Sequence, residues 1–348
     1  MRRNTLRCLV SVSAVATCLL ATGCGASTAA NPSSQEGPRI AVFLPALANS
    51  YTAGEISGME KAFGEAGAEV DFMGADYDGA RQLAQIQDAV TSGRYSGFIV
   101  QPSDSVAVVP GVRQAAAADI PVVAAYLPVG SDLTTGDPQV DGVISTVWYP
   151  TPEVGPALAE MTKAACERDH SDSAPCQVIL LTGGNTVTLE QIRIRDFEAS
   201  IADSDIEVVA IGEGMFDSAV SRDVATDLIL ANPNVDVIVS GSDAMTAGAE
   251  QALDAAGVDG VSLIGGGASL EGVEAVDDGR WFGTVLEAPF DAGQIYARTI
   301  LDIVAGKHVD KVIGVREHLG LPIAHTADSE MFRPQWSAVG AVIDYAGN

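Results

Sequence analysis

The side chains of this 348-residue chain that could do chemistry are spaced for binding, not for bond-making. His170, His308, His318 and His325 are scattered over loops and the C-terminal part and form neither a triad nor a metal set. Asp76 and Asp78 open a pattern that a calcium loop would continue, but no third ligand at EF-hand spacing follows. Gly265, Gly266 and Gly267 have neither GxGxxG spacing nor a P-loop lysine, and read as a close-approach turn beside a cleft. GxSxG, HExxH and CxxC are absent, so a secreted hydrolase is the weaker reading. What recurs is a pair, Ser103-Asp104 and Ser242-Asp243, at the same point of two similar stretches. Each pair can accept hydrogen bonds from the free N–H groups that open a helix.

Those pairs sit in a unit that appears twice. Residues 97–127 and 235–265 both read as an apolar run, a polar turn, an alanine-rich helix and a second apolar run, the pattern of a βαβ unit with parallel strands. A duplicated unit predicts two similar α/β lobes with ligand space beyond the carboxyl ends of the strands, in the cleft between them. Before the first unit, strands at 39–44 and 69–73 alternate with helices at 53–67 and 80–92, and a strand at 143–148 follows it. The alternation restarts after a helix at 151–168, with strands at 178–182 and 207–211 and helices at 189–202 and 219–231. Helix 270–277, strand 281–286, helix 290–305 and strand 311–315 follow the second unit, and residues 337–343 read as an edge strand. Such alternation calls for parallel sheets covered by helices on both faces.

The N-terminus points to export. Three arginines precede a short apolar stretch, and Ala21-Thr22-Gly23-Cys24 resembles a bacterial lipobox, with Leu20 one place before the position usually taken by leucine. Residues 1–23 then read as a signal peptide, Cys24 as the lipidated first residue of the mature chain, and residues 24–37 as a polar tether. Plain secretion is the alternative. Removing residues 1–23 takes the net charge from −27 to −30, because they hold three arginines and no acid. A surface this acidic disfavours nucleic acid as a partner. Cys166 and Cys176 flank a polar loop, and in an exported protein they are expected to form a local disulfide.

The run IAVFLPALANSY, then GAEV, then RQLAQIQDAVTSGRYSGFIVQPSDSVAVVPGVRQAAAADIPVV resembles the ribose-type periplasmic sugar-binding proteins, the substrate receptors of ABC importers. NPNVDVIVSGSDAMTAGAEQALDAAG and DDGRWFGTVLEAPFDAGQIYA resemble the same family, so the similarity covers about residues 38–307. The resemblance implies the type I periplasmic-binding-protein fold, α/β with two doubly wound parallel-sheet lobes joined by a three-segment hinge. The crossings are expected near Thr146, Glu287-Ala288 and Glu317. Lobe one would be residues 38–145 plus 288–316, and lobe two residues 146–287 plus 317–348. It also implies a monomer that needs no cofactor or metal, closes on a small-molecule ligand and presents itself to a membrane permease.

Position by position, the resemblance places the ligand contacts at Asn49, Tyr51, Tyr126, Gln191, Phe216, Ser242, Gly267 and Glu287, with Trp148 at the hinge. Asn49, Tyr51 and Phe216 keep the family's chemistry. Tyr126-Leu127 stands where the family has an Asp-Arg pair, Gln191 replaces an arginine, Ser242 an asparagine, Gly267 an aspartate and Glu287 a glutamine. An unmatched sugar hydroxyl in a closed cleft costs about 1 to 3 kcal/mol, so the expected ligand is less hydroxylated than glucose or ribose: a deoxy, modified or glycosidic sugar, a polyol or a sugar-like metabolite. Two alternatives stay open: Glu287 among aromatic rings also suits a cationic amine, and a sensor that presents its ligand to a membrane receptor would share the whole design.

Overall fold

The computed structural model describes residues 37–171 and 175–326. The signal peptide, Cys24, the tether up to residue 36 and the strand expected at 337–343 lie outside the described residues. In chain order the first part runs β1 (Arg39–Leu44), α1 (Ser50–Ala66), β2 (Glu69–Gly74), α2 (Gly79–Ser92), β3 (Gly97–Val100), α3 (Val109–Ala117), β4 (Val122–Tyr126) and β5 (Val143–Trp148). After a 3₁₀ turn at Thr151–Glu153 come α4 (Val154–Asp169), β6 (Cys176–Thr182), α5 (Thr188–Ile201), β7 (Ile206–Glu213), α6 (Ser218–Ala231), β8 (Val237–Ser240) and α7 (Asp243–Ala256). The chain ends with β9 (Ser262–Gly267), α8 (Leu270–Asp277), β10 (Gly283–Leu286), α9 (Pro289–Val304), β11 (Val312–Gly314), α10 (Val315–Leu319) and β12 (Ala324–Thr326).

Two six-stranded sheets result, in the orders β11-β5-β4-β3-β1-β2 and β12-β10-β9-β8-β6-β7. All pairings are parallel except that of β12 with β10. The apolar runs are continuous because both faces of each central strand are covered. In β1, Ile40, Val42 and Leu44 face α1 and α9, while Ala41 and Phe43 face α2 and α3. The second sheet repeats this: Val178 and Leu180 of β6 face α4 and α5, and Ile179 and Leu181 face the layer of α6, α7 and α8. Helices α1 and α9 come so close that a Cβ on Gly58 would strike the Phe290 carbonyl and one on Gly293 the Glu55 carbonyl. Only glycine permits that crossing.

The structure corrects several local expectations. Asp104 accepts from the N–H groups of Val106 and Ala107, at 2.8 and 2.9 Å, in the turn before α3, and no side chain caps that helix. Its counterpart Asp243 does not cap its own helix; it turns to the start of α8 and accepts from Ser269. The glycine triplet is the end of strand β9 and not a turn. The edge strand β12 lies at 324–326, where so short a run gave no period. Thr146 pairs with Val312 and Ala124 inside the first sheet, so the chain leaves that sheet after Trp148. Cys166 and Cys176 are joined in a disulfide that ties the end of α4 to the start of β6.

The chain passes between the sheets at 149–153, 287–288 and 315–323. Two side chains bind these crossings together. The Tyr149 hydroxyl accepts from Ala288 N at 2.8 Å, joining the first to the second. Arg316 touches all three: its Nη1 donates to the carbonyls of Leu286, Pro322 and Ile323 at 3.2, 3.0 and 3.4 Å, and its Nε lies 3.6 Å from Glu153 Oε2. Stranding buried carbonyls costs about 1 to 3 kcal/mol each. Arg316→Met should therefore lower the unfolding free energy by about 2 to 4 kcal/mol while the far-UV circular dichroism stays native. A denaturation midpoint equal to that of the parent would show that the guanidinium holds nothing.

Candidate functional site

The carboxyl ends of both sheets converge on one cavity, at the places where strand order reverses, between β1 and β3 and between β6 and β8. It spans about 750 Å³, counting the space open to solvent. The loop after β1 supplies Asn49 and the first turn of α1 supplies Tyr51, the end of β4 supplies Tyr126, the loops after β7 and β8 supply Phe216 and Ser242, and the start of α7 supplies Asp243.

At its floor lies a buried charged cluster. Arg193 projects from α5 and donates through Nη2 to the Tyr126 hydroxyl at 2.9 Å and to Glu287 Oε1 at 3.2 Å. Through Nη1 it donates to Glu190 Oε1 at 3.0 Å and to the Gly241 carbonyl at 3.1 Å. Tyr126 in turn donates to Glu287 Oε1 at 2.5 Å, and Glu190 Oε2 accepts from Gly183 N. Burial alone would drive a proton off the guanidinium, but Tyr126, Glu190 and Glu287 outweigh it and raise its pKa, so Arg193 stays charged. Burial also pushes the Tyr126 phenol well above its ordinary value, which keeps it a donor. Arg193 Nε and Gln101 Oε1 are buried without partners, and both residues line the cavity.

Asp243 is held by other means. Thr284 Oγ1 donates to Oδ1 at 2.7 Å, and Ser269 donates to Oδ2 from N at 2.6 Å and from Oγ at 2.8 Å. Burial still pushes its carboxyl up to about 7 against those bonds. A second buried acid, Glu55 of α1, lies near Tyr296 and Gln101 without closing an ordinary hydrogen bond, and burial holds it well above the usual carboxylate range.

Of the residues singled out from the sequence, Asn49, Tyr51, Tyr126, Phe216, Ser242 and Glu287 line the cavity. Trp148, Gln191 and Gly267 stand outside its wall. Trp148 closes beside Gly136 and Val312, Gln191 turns outward to donate to the Asn185 carbonyl, and Gly266 takes the wall position in place of its neighbour. Gln191, read as standing where the family has an arginine, faces out, while Arg193, one helical turn from Glu190, faces inward. Tyr77 was also missed, since nothing in the polar turn after β2 marked it as a cleft residue. Asn49 has both ends of its amide in use: Oδ1 accepts from Thr52 N at 2.7 Å as the cap of α1, and Nδ2 donates to the Tyr77 hydroxyl at 2.9 Å. The Glu287 carboxylate faces the Arg193 guanidinium, so a cationic amine would have to compete with that ion pair.

A family model described as a periplasmic binding protein domain matches residues 40–308. The chain is 25% identical over 296 residues to the ribose import binding protein RbsB of Escherichia coli strain K12, covering 85% of this chain and 94% of the relative. In fold it is similar to an ABC transporter periplasmic solute binding protein from Actinobacillus succinogenes 130z with bound D-allose, at TM-score 0.70 and 21% identity, covering 84% of this chain and 98% of that one. A solute binding protein from Bacillus halodurans C-125 with bound myo-inositol is similar at TM-score 0.70 and 21% identity, covering 85% and 96%.

The two buried acids set a pH dependence. A carboxyl whose folded pKa lies above its unfolded value is bound to a proton in the native state that the unfolded chain has released, so the stability it contributes is complete below the unfolded pKa and is lost as pH rises through the folded one. For Asp243 that window runs from the ordinary aspartate range up to about 7, and Glu55 acts in the same direction. The thermal midpoint should fall between about pH 5 and pH 8, and Asp243→Asn and Glu55→Gln should each flatten the fall. Parallel profiles for parent and variants would contradict this.

Proposed function

The chain belongs to the periplasmic binding protein domain family, and from that premise we propose that it is an extracytoplasmic receptor that encloses a small sugar-like ligand between two lobes and delivers it to an ABC import permease. The observation that carries this is the cavity itself, which draws aromatic faces and buried polar groups from the carboxyl ends of two parallel sheets. The lobes are the two sheets with their helices, and the crossings at 149–153, 287–288 and 315–323 are the hinge. Closure is then a population shift driven by contacts that exist only when both walls meet the ligand.

The wall chemistry narrows the ligand. Asn49 is committed within the protein and Asp243 is already satisfied by Thr284 and Ser269, while Tyr51, Tyr126 and Phe216 present rings. Arg193 Nε and Gln101 Oε1 remain as donor and acceptor. A monosaccharide or cyclic polyol with an apolar face and few hydroxyls matches that set. The solved relatives hold a monosaccharide, D-allose, and a cyclic polyol, myo-inositol, both more hydroxylated than the ligand this wall is read to match.

The export features of residues 1–24 support a lipid-anchored form held at the membrane through Cys24. Among the described residues no helix is long and apolar enough to cross a membrane. Cys24→Ser should shift the protein from the membrane fraction to the soluble one; retention in the membrane fraction would remove the anchor from the reading.

A thermal-shift panel of aldoses, deoxy sugars, inositols and quaternary amines tests the ligand class. A ligand at 100 times its Kd adds about 2.7 kcal/mol to the folded state, which should raise the midpoint by about 4 °C. Hits are expected among the sugars and inositols; hits confined to the amines would overturn the reading. With such a ligand, Tyr51→Ala and Glu287→Gln should each raise Kd by about tenfold or more, and unchanged affinity in both would move the site elsewhere.

A further inference from the structure

We propose that Tyr77 is a specificity-determining residue of the cleft, forming with Phe216 a two-ring roof that closes over a single monosaccharide-sized ligand. The proposal rests on the receptor reading above, and no position in the sequence resemblance assigns Tyr77 a role.

The two rings come from opposite sides. Tyr77 lies in the loop between β2 and α2, Phe216 in the loop between β7 and α6, and β2 and β7 are the edge strands at matching ends of the two sheets. Both rings line the cavity. They stack with centroids 5.4 Å apart and planes inclined by 27°, the offset arrangement that aromatic pairs favour.

Each ring is held by a built support. Asp76 and Tyr77 have φ of 50° and 61°, and Met215 and Phe216 have φ of 53° and 55°. Consecutive non-glycine residues in the left-handed region are rare and costly, and such conformations persist where the surroundings impose them, commonly at ligand clamps. On the Tyr77 side those surroundings are visible. Tyr77 N donates to the Pro45 carbonyl at 2.7 Å, Asn49 Nδ2 donates to the phenol oxygen, and Asp78 caps α2 by accepting from Ala80 N and Arg81 N. Burial pushes the Tyr77 phenol up to about 12, so it stays neutral at any working pH. On the other side, the Phe216 ring lies flat enough on Gly183 that a Cβ there would strike it.

A roof of two stacked rings has two consequences. It presents an apolar face to the ligand, which suits the C–H face of a sugar ring. It also blocks the mouth through which a second sugar unit would extend, so glycosides and disaccharides are excluded. Because the rings belong to different lobes, their contact favours the closed form even without ligand, and it slows escape more than entry.

The experiment has two arms on full-length protein. In the first, amide hydrogen exchange without ligand compares the parent with Tyr77→Ala. Faster exchange at 213–217, on the opposite lobe, is expected; unchanged exchange there would overturn the roof, whatever the ligand is. In the second, dissociation of the best panel sugar is followed by stopped-flow fluorescence. Tyr77→Ala should speed dissociation at least tenfold with association changed less than threefold, and should let the corresponding methyl glycoside or disaccharide bind. Tyr77→Phe, which keeps the ring and loses only the Asn49 bond, should stay within threefold of the parent. An unchanged dissociation rate and continued exclusion of the glycoside in Tyr77→Ala would overturn the proposal. If no panel sugar binds the parent, the receptor reading for sugars fails, and the first arm alone decides the roof.

Discussion

A guanidinium that is almost wholly removed from water governs the middle of this molecule. Arg193 must be paired or the fold would bear an uncompensated buried charge, a penalty of about 3 to 5 kcal/mol when one partner of such a cluster is lost. Its partners come from three places: Glu190 on its own helix, Glu287 at the second crossing, and Tyr126 at the end of the first sheet. One side chain thereby fixes the relation of a helix, a crossing and the opposite sheet. The Gly241 carbonyl, which it also holds, opens the loop that carries Ser242 and Asp243 into the cavity.

Around that point the two sheets are built alike. Each reverses its strand order beside its first strand, which opens a crevice at the carboxyl ends, and each brings one edge-strand loop with two left-handed residues toward the cavity. The helices cover the sheets and form the core, and the cavity wall is drawn from the loops after the strands and the N-terminal parts of the helices that follow them. The division is physical: strand and helix interiors must spend their polar groups on each other, while loop residues keep side chains available for a ligand. Arg316 and Tyr149 play the corresponding part at the crossings, where short segments without sheet partners need side chains to hold their carbonyls and amides.

Much of this was legible before any coordinates. The strands of both duplicated units appear as apolar runs because both faces of a central strand are buried. The disulfide needed only two cysteines flanking one loop in an exported chain. The site was read less well. Spacing near a helix start does not say which residues face inward, so Arg193 carries no mark in the sequence that distinguishes it from Gln191. Asn49 stands at the cavity with one donor and one acceptor of its amide engaged by Tyr77 and Thr52, and a tyrosine in a polar turn, such as Tyr77, has no period to mark it.

The sequence by itself determined the alternation of strands and helices, their duplication and the family, because burial period and helix capping are local properties of a few neighbouring residues. Only the tertiary structure decided which side chains share the cavity. Arg193 with Glu287 and Tyr126, and Tyr77 with Phe216, are pairs separated by long stretches of chain. Their meeting depends on how two sheets face each other, which no local pattern encodes.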